Sequence, residues 1–261
     1  MPAAFAHTLF GKNILESLDV SIQSLIYKHI DYYYIGLFGP DILFYNEPLK
    51  KNDVNQYGYH LHQLDAYDFF KNAKNILHQT HEKEKILVYI LGFIIHFILD
   101  SECHGYIGQV EKETHLSHAS IESDFERALL QSKGFKASST KLLKHIHYTK
   151  DMSDIIAPIF QLTPKDIHES IKGMFFFLEL LRCPSKIKRQ VLKYGMKTFH
   201  VYDSMYGLIV HDEANPQAIT STNHLISLFH NAKAIAITQI NEFYQHINDD
   251  YLSNRFHRNF E

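Results

Sequence analysis

Ile86-Leu-Val-Tyr-Ile-Leu-Gly-Phe-Ile-Ile-His96-Phe-Ile-Leu-Asp100-Ser-Glu-Cys-His104 is the stretch from which the rest of the chain is read. From Ile86 to Leu99 it is almost wholly apolar, so a helix here has no polar face to show to water. Crossing a bilayer takes about 20 such residues. This run is shorter, and Lys83 and Lys85 precede it while Asp100 follows. It reads as a buried core helix over residues 82–101, with Gly105 and Gly108 marking the connection after it, and no segment of the chain reads as transmembrane. His96 and Asp100 lie four residues apart, on one face of that helix. Burying an imidazole and a carboxylate without partners is costly. The pair is therefore either a satisfied His–Asp contact inside a helical bundle or part of a metal site.

The residues that follow favour a metal. His104 stands four beyond Asp100, and His118 with Glu122 forms a second His/carboxylate pair on another helix, for which Ser117 is the N-cap. Pairs of this kind from different helices, with a further His between them, are how bundle cores build multinuclear sites. Imidazole and carboxylate without thiolate suit Zn²⁺. Taken alone, Glu122 is equally an acid favoured by the dipole of a first helical turn; His104 and His118 beside it make it a ligand candidate. The chain has 19 His, and histidine is the commonest metal ligand. His78, His81, His230, His246 and His257 sit in polar stretches and read as surface residues.

Outward from this core, apolar spacing predicts helices over residues 13–30, 63–80, 142–148, 152–160, 164–182, 185–202 and 223–247. Residues 36–48 break the pattern at Gly39-Pro40 and Pro48. Strand alternation is nowhere sustained. The expectation is an all-α protein with residues 1–261 as one domain, long enough to bury a sizeable core. A net charge of −3 offers no general attraction to nucleic acid or anionic lipid, so any phosphate recognition has to be local. Cys103 and Cys183 form no disulfide framework, and Met-Pro-Ala-Ala-Phe-Ala-His lacks the features of a secretory signal. The expected setting is cytoplasmic.

His96-Phe-Ile-Leu-Asp100, then His104, then His118-Ala-Ser-Ile-Glu122, resembles the HxxxD…H…HxxxE signature of the zinc-dependent phospholipase C family. The metal domain of the glycosylphosphatidylinositol-specific phospholipase D looks similar. Ala6-His7, Gly39-Pro40-Asp41 and Gly58-Tyr59-His60-Leu61-His62 extend the likeness upstream, so that it covers residues 1–130. The resemblance implies a helical phosphodiesterase with two to three zinc ions. Asp41, His62, His96 and Asp100 would hold one ion, and His104, His118 and Glu122 a second. His7 and a bridging Asp100 would hold a third, completed by the N-terminal amine, here that of Pro2 once Met1 is removed. His60 competes with His62.

The resemblance also makes Asp41 the candidate general base and a phospholipid head-group diester the expected substrate. Single-strand nucleases of similar fold make a nucleotide or nucleic-acid diester the runner-up. Base stacking there would need an aromatic slot, for which Tyr32-Tyr33-Tyr34, Phe38, Phe44 and Tyr45 are candidates, although they read equally as core. A third reading is a metal-stabilised helical protein without catalysis, distinguished by whether a coordination position stays open. His115 is a candidate for orienting a ligand, and His200, Asp203 and His211 form a looser set of spacings in the second half.

Overall fold

The computed structural model describes residues 3–260, and of Asp203 and Ser204 the backbone alone. The chain is 73% helical with no strand among the described residues, so the all-α expectation holds. In order come α1 (Ala4–Leu15), α2 (Val20–Lys28), α3 (Ile30–Gly36), a 3₁₀ turn (Gly39–Tyr45), α4 (Asp53–Gln63), α5 (Ala66–Gln79) and α6 (Lys83–Thr114). Then follow α7 (His118–Ser132), α8 (Asp151–Phe160), α9 (Pro164–Leu181), α10 (Lys186–Thr198), α11 (Tyr202–Met205) and α12 (Ile219–Gln245).

α6 is the axis of the molecule. Every residue from Ile86 to Ser101 is buried, with α1, α3, α5, α8 and α12 packed around it. It is long and apolar enough to cross a membrane, yet its most apolar stretch is 94% buried inside the protein, which makes it a core helix. The helix does not stop near Ser101 as the sequence predicts; it continues to Thr114 and ends at His115 in the left-handed conformation (φ 58°). Gly105 and Gly108 are helical, each at a cost of about 1 kcal/mol relative to Ala. Buried Ile107 and Val110 hold that turn against the core. This extension positions the site, because it keeps His104 in register with His96 and Asp100.

Two glycines set the approach of neighbouring backbones to α6. A Cβ on Gly92 would lie 2.4 Å from the Tyr33 carbonyl oxygen, so the α3 backbone comes this close to α6 because position 92 has no side chain. Gly39 has φ +48°, and a Cβ on it would lie 2.2 Å from His96 Cδ2. The 3₁₀ turn bearing Asp41 thus rests on the His96 ring because position 39 has no side chain.

Other boundaries move as well. Residues 13–30 form not one helix but the end of α1 and then α2, separated after Leu15. Residues 63–80 do form one helix, α5, starting at Ala66, but a further helix, α4, precedes it, which puts His60 and His62 in the last turn of α4 rather than in a segment leading into a helix. Residues 142–145 form a turn and 146–148 no regular element, and α10 ends at Thr198. The principal apolar core draws on residues from Ala3 to Phe260. A small satellite core gathers Leu181, Cys183, Met196 and Ile209.

Candidate metal centre

Successive turns of α6 present His96, Asp100 and His104, and Asp100 is their hub. Its Oδ1 lies 3.2 Å from His7 Nε2 of α1 and 3.8 Å from His104 Nε2. Its Oδ2 lies 3.0 Å from His96 Nε2 and 3.9 Å from His62 Nε2 of α4. From the 3₁₀ turn, Asp41 Oδ1 lies 2.9 Å from His62 Nε2 and 3.9 Å from His96 Nε2. One α-helical turn along α6, Glu122 Oε1 of α7 is 3.2 Å from His104 Nε2 and 3.3 Å from His118 Nε2. Two groups result, Asp41/His62/His96/Asp100 and His104/His118/Glu122. Within each, one ligand-capable atom per residue lies within 4.8 Å of all the others.

The second nitrogen of each ring explains why the Nε2 atoms converge. His62 Nδ1 donates to the Gly58 carbonyl at 2.8 Å, His96 Nδ1 to that of Leu37 at 3.1 Å, and His104 Nδ1 to that of Phe260 at 2.9 Å. His118 Nδ1 faces the Glu111 carboxylate at 3.2 Å, and Glu111 also accepts from the His118 backbone N–H at 2.8 Å. A carbonyl can only accept, so three of these rings carry an N–H on Nδ1 and turn Nε2 inward. That is the orientation in which imidazole binds a metal, and the outer hydrogen bonds fix it.

Close approach is not mutual satisfaction. His96 Nε2, Asp100 Oδ2, His118 Nε2 and Glu122 Oε2 are all buried without a hydrogen-bond partner, as is His7 Nδ1. Each such atom costs about 1–3 kcal/mol, and four of the eleven found among the described residues fall within the two groups. The donor set is imidazole and carboxylate, which fits Zn²⁺. The residues fit the ion.

The protein alone already has a strongly polarised site. Burial works to raise the Asp100 carboxyl, yet His104, His96 and His7 hold it well below the usual carboxylate range. Burial also opposes ionisation of Asp41, but His96 and His62 keep it low. Glu122 is held down in the same way by His118 and His104. His104 resists burial, because Asp100 and Glu122 push it up to about 10. His7 goes the other way, lowered by burial and by His96, on whose ring it stacks at 4.3 Å.

Of the eight residues singled out in the sequence, seven form the two groups and His7 joins them through Asp100. Met1 and Pro2, on which completion of a third position turns, lie outside the described residues. His62 is the buried member of the His60/His62 pair, and His60 is exposed. His115 is also exposed, serving as the cap of α6, and orients no ligand. His200 is exposed in a left-handed conformation, His211 sits against the Tyr206 ring away from both groups, and the Asp203 side chain lies outside the described residues. The Tyr32-Tyr33-Tyr34 run is largely core: Tyr32 and Tyr33 are buried, and the Tyr33 hydroxyl donates to the Gly11 carbonyl.

Three partners went unnoticed in the sequence. Glu111 lies on the part of α6 read as a connection. Phe260 sends its carbonyl to His104, takes the His62 carbonyl on its own N–H at 3.1 Å, and packs its ring on His62 and His96. Nothing local in the sequence marks a backbone group so far from the motif. Glu126, fully buried, accepts from the Phe5 and Ala6 N–H groups and anchors the start of α1, one turn before His7. Burial pushes its carboxyl up to about 8 against those two amides. A capping acid more than a hundred residues away leaves no spacing to read.

The second group opens on a cavity of about 430 Å³. His104, His118 and Glu122 form its floor together with His62, and Phe44, Tyr45, Tyr59, Phe177, Leu181, Met205 and Leu208 supply its apolar walls. The Phe44 and Tyr59 rings stack at 4.3 Å. No Lys or Arg is among the lining residues.

The family model for zinc dependent phospholipase C matches residues 6–176, a span that contains both groups and His7. The chain belongs to this family. No curated protein and no solved structure matches. For a zinc dependent phospholipase C the helical fold and the two metal-capable groups are in keeping, and membership makes the chain, at family level, a phospholipase-like zinc hydrolase. The match ends within α9, so α10 to α12 lie beyond it.

Proposed function

We propose that the protein hydrolyses phosphodiesters of the phospholipid head-group type, in a phospholipase C-like reaction at two to three zinc ions. Asp41, His62, His96 and Asp100 hold one ion in this reading, and His104, His118 and Glu122 a second. His7 and Asp100 take part in a third. The observation that carries the proposal is the junction of the His104/His118/Glu122 group with an apolar cavity. A purely structural metal would need no such mouth.

Bound zinc supplies positive charge to the phosphoryl oxygens and lowers the pKa of a coordinated water toward 7. The chain supplies the rest. Asp41, kept ionised by His96 and His62 despite burial, accepts the proton of the attacking water and orients it. Gly58, Leu37 and Phe260 carbonyls hold three imidazoles in the ligating tautomer. The aromatic and aliphatic walls exclude bulk water, strengthening electrostatic interactions inside. An apolar wall without cations favours a lipid's diacylglycerol portion over a nucleic-acid backbone, which would call for a basic groove. Residues 1–261 act as one domain in this reading, and two buried free cysteines fit a cytoplasmic setting.

The test is elemental analysis of zinc-grown protein that has never met chelator, followed by turnover assays on phosphatidylcholine and on a dinucleotide. Two to three zinc ions per chain with lipid turnover support the proposal. Zinc with nucleotide turnover alone transfers the site to the nuclease reading. No zinc above background withdraws both.

A further inference from the structure

α10 is the least embedded of the longer helices: of its 13 residues only Met196 is buried. Its outer face carries large apolar side chains in the open, Ile187 78% exposed, Val191 65% and Tyr194 70%, with Phe199 at 72% just after the helix. Ile187, Val191 and Tyr194 fall four and three residues apart and so form one stripe along the helix. Lys186, Gln190, Lys193 and Lys197 form a parallel stripe beside it.

Charge on the helix is one-sided. α10 holds Lys186, Lys188, Arg189, Lys193 and Lys197 and no acid, in a chain whose net charge is −3. Lys188 is committed, its ammonium donating to the Glu179 and Arg182 carbonyls at the end of α9 at 3.0 and 2.6 Å. Lys186 and Lys197 are exposed, Lys197 lying 5.3 Å from the Tyr202 ring centre. An apolar stripe alongside cations, on a helix of low overall hydrophobicity, is the composition of helices that lie in the plane of a lipid interface.

The inner face ties this surface to the site. Met196, with Leu192, packs in the satellite core beside Leu181, Met205 and Leu208. The last three also wall the cavity above His104, His118 and Glu122. We propose that α10 is an interfacial helix that seats the protein on anionic lipid surfaces. Ile187, Val191, Tyr194 and Phe199 enter the headgroup region, and the exposed Lys186 and Lys197 face lipid phosphates, whereas half-buried Lys193 lies over the Tyr202 and Tyr206 rings. The chain's net negative charge confines this attraction to one local patch, which orients the protein on the surface. The consequence for catalysis, delivery of lipid to the adjoining cavity, rests on the substrate reading above; the membrane contact itself does not.

The test is co-sedimentation of the zinc-loaded full chain at 4 °C with phosphatidylglycerol or phosphatidylcholine vesicles. A water-soluble chromogenic phosphodiester is assayed in parallel. Loss of one interfacial lysine is worth about fivefold in partitioning. The expected result is at least tenfold tighter association with phosphatidylglycerol, weakened by salt. Val191→Glu, and separately Lys186→Glu with Lys197→Glu, should each cut it by at least tenfold, with circular dichroism and soluble-diester turnover unchanged. Equal binding of both vesicles, no binding, or indifference to both variants overturns the proposal. So does a wild-type dimer that Val191→Glu converts to monomer without altering vesicle association, because the face then serves a second copy. Absence of soluble-diester turnover would sink the catalytic reading while leaving the vesicle result to decide this one.

Discussion

The two metal-capable groups share α6 and differ in what surrounds them. Asp41, His62, His96 and Asp100 are sealed, with side-chain exposures from 0% to 6%. In the second group Glu122 is as deep at 3%, but the His118 side chain is 34% exposed and the floor of the cavity begins there. Four protein ligands close a tetrahedral ion, whereas three leave a position for water or substrate. The difference implies a division of labour, the open group meeting substrate and the sealed group, whose His62 reaches the same cavity, holding the fold and supplying Asp41 as the base.

The largest effect expected is from Asp100→Ala, which removes the hub facing four imidazoles. Breaking a buried ionic cluster from one side costs about 3–5 kcal/mol. Calorimetry should show a fall in Tm on the order of 10 °C, with zinc lost from the Asp41/His62/His96 group and from the position shared with His7. Retention of zinc at either would remove Asp100 from its bridging role. His118→Ala should bring out the contrast: near-normal Tm, zinc retained by the sealed group, and turnover lowered by about a hundredfold or more, comparable to the loss of a key catalytic stabiliser. A His118→Ala protein as unstable as Asp100→Ala would abolish the division of labour.

Asp41→Asn should retain more zinc than activity; near wild-type turnover on every diester tested removes Asp41 as the base. A smaller effect is expected at Glu111. Glu111→Gln weakens the hold on His118 Nδ1 and should lower zinc affinity of the open group by about 10- to 100-fold. The sealed group should be unchanged, as read by competition with a chromophoric chelator.

The pH dependence separates the groups again. In the zinc-free protein His104 titrates at about 10, the carboxylates of Asp100 and Glu122 outweighing burial. The stability this raised pKa contributes is fully present below about 6.5. It is lost as the pH rises through about 10. At pH 8 His104 is therefore protonated until zinc displaces the proton. Titration calorimetry in two buffers of different ionisation enthalpy should register that release, and it should shrink in His104→Gln. No buffer dependence would show that His104 is neutral before zinc arrives.

Much of the site was legible because helical geometry is local. His96, Asp100 and His104 at four-residue steps, and His118 with Glu122, must share faces of their helices wherever those helices pack. The apolar run around His96 likewise dictated a buried axis. Gly105 and Gly108 misled, since weak helix propensity yields to the packing of Ile107 and Val110 against the core. Residues 53–63 do not read as a helix in the sequence, which hides that His62 lies in the last turn of α4.

The sequence by itself determined the fold class, the ligand chemistry and the two pairs on α6 and α7, because each depends on residue type and on a repeat of a few residues. Tertiary structure alone decided which of His60 and His62 turns inward, that the Leu37, Gly58 and Phe260 carbonyls orient the rings, and that α9 and α11 wall the cavity. Those contacts join positions up to 156 residues apart. Only the folded chain brings such groups together, through burial that no local pattern encodes.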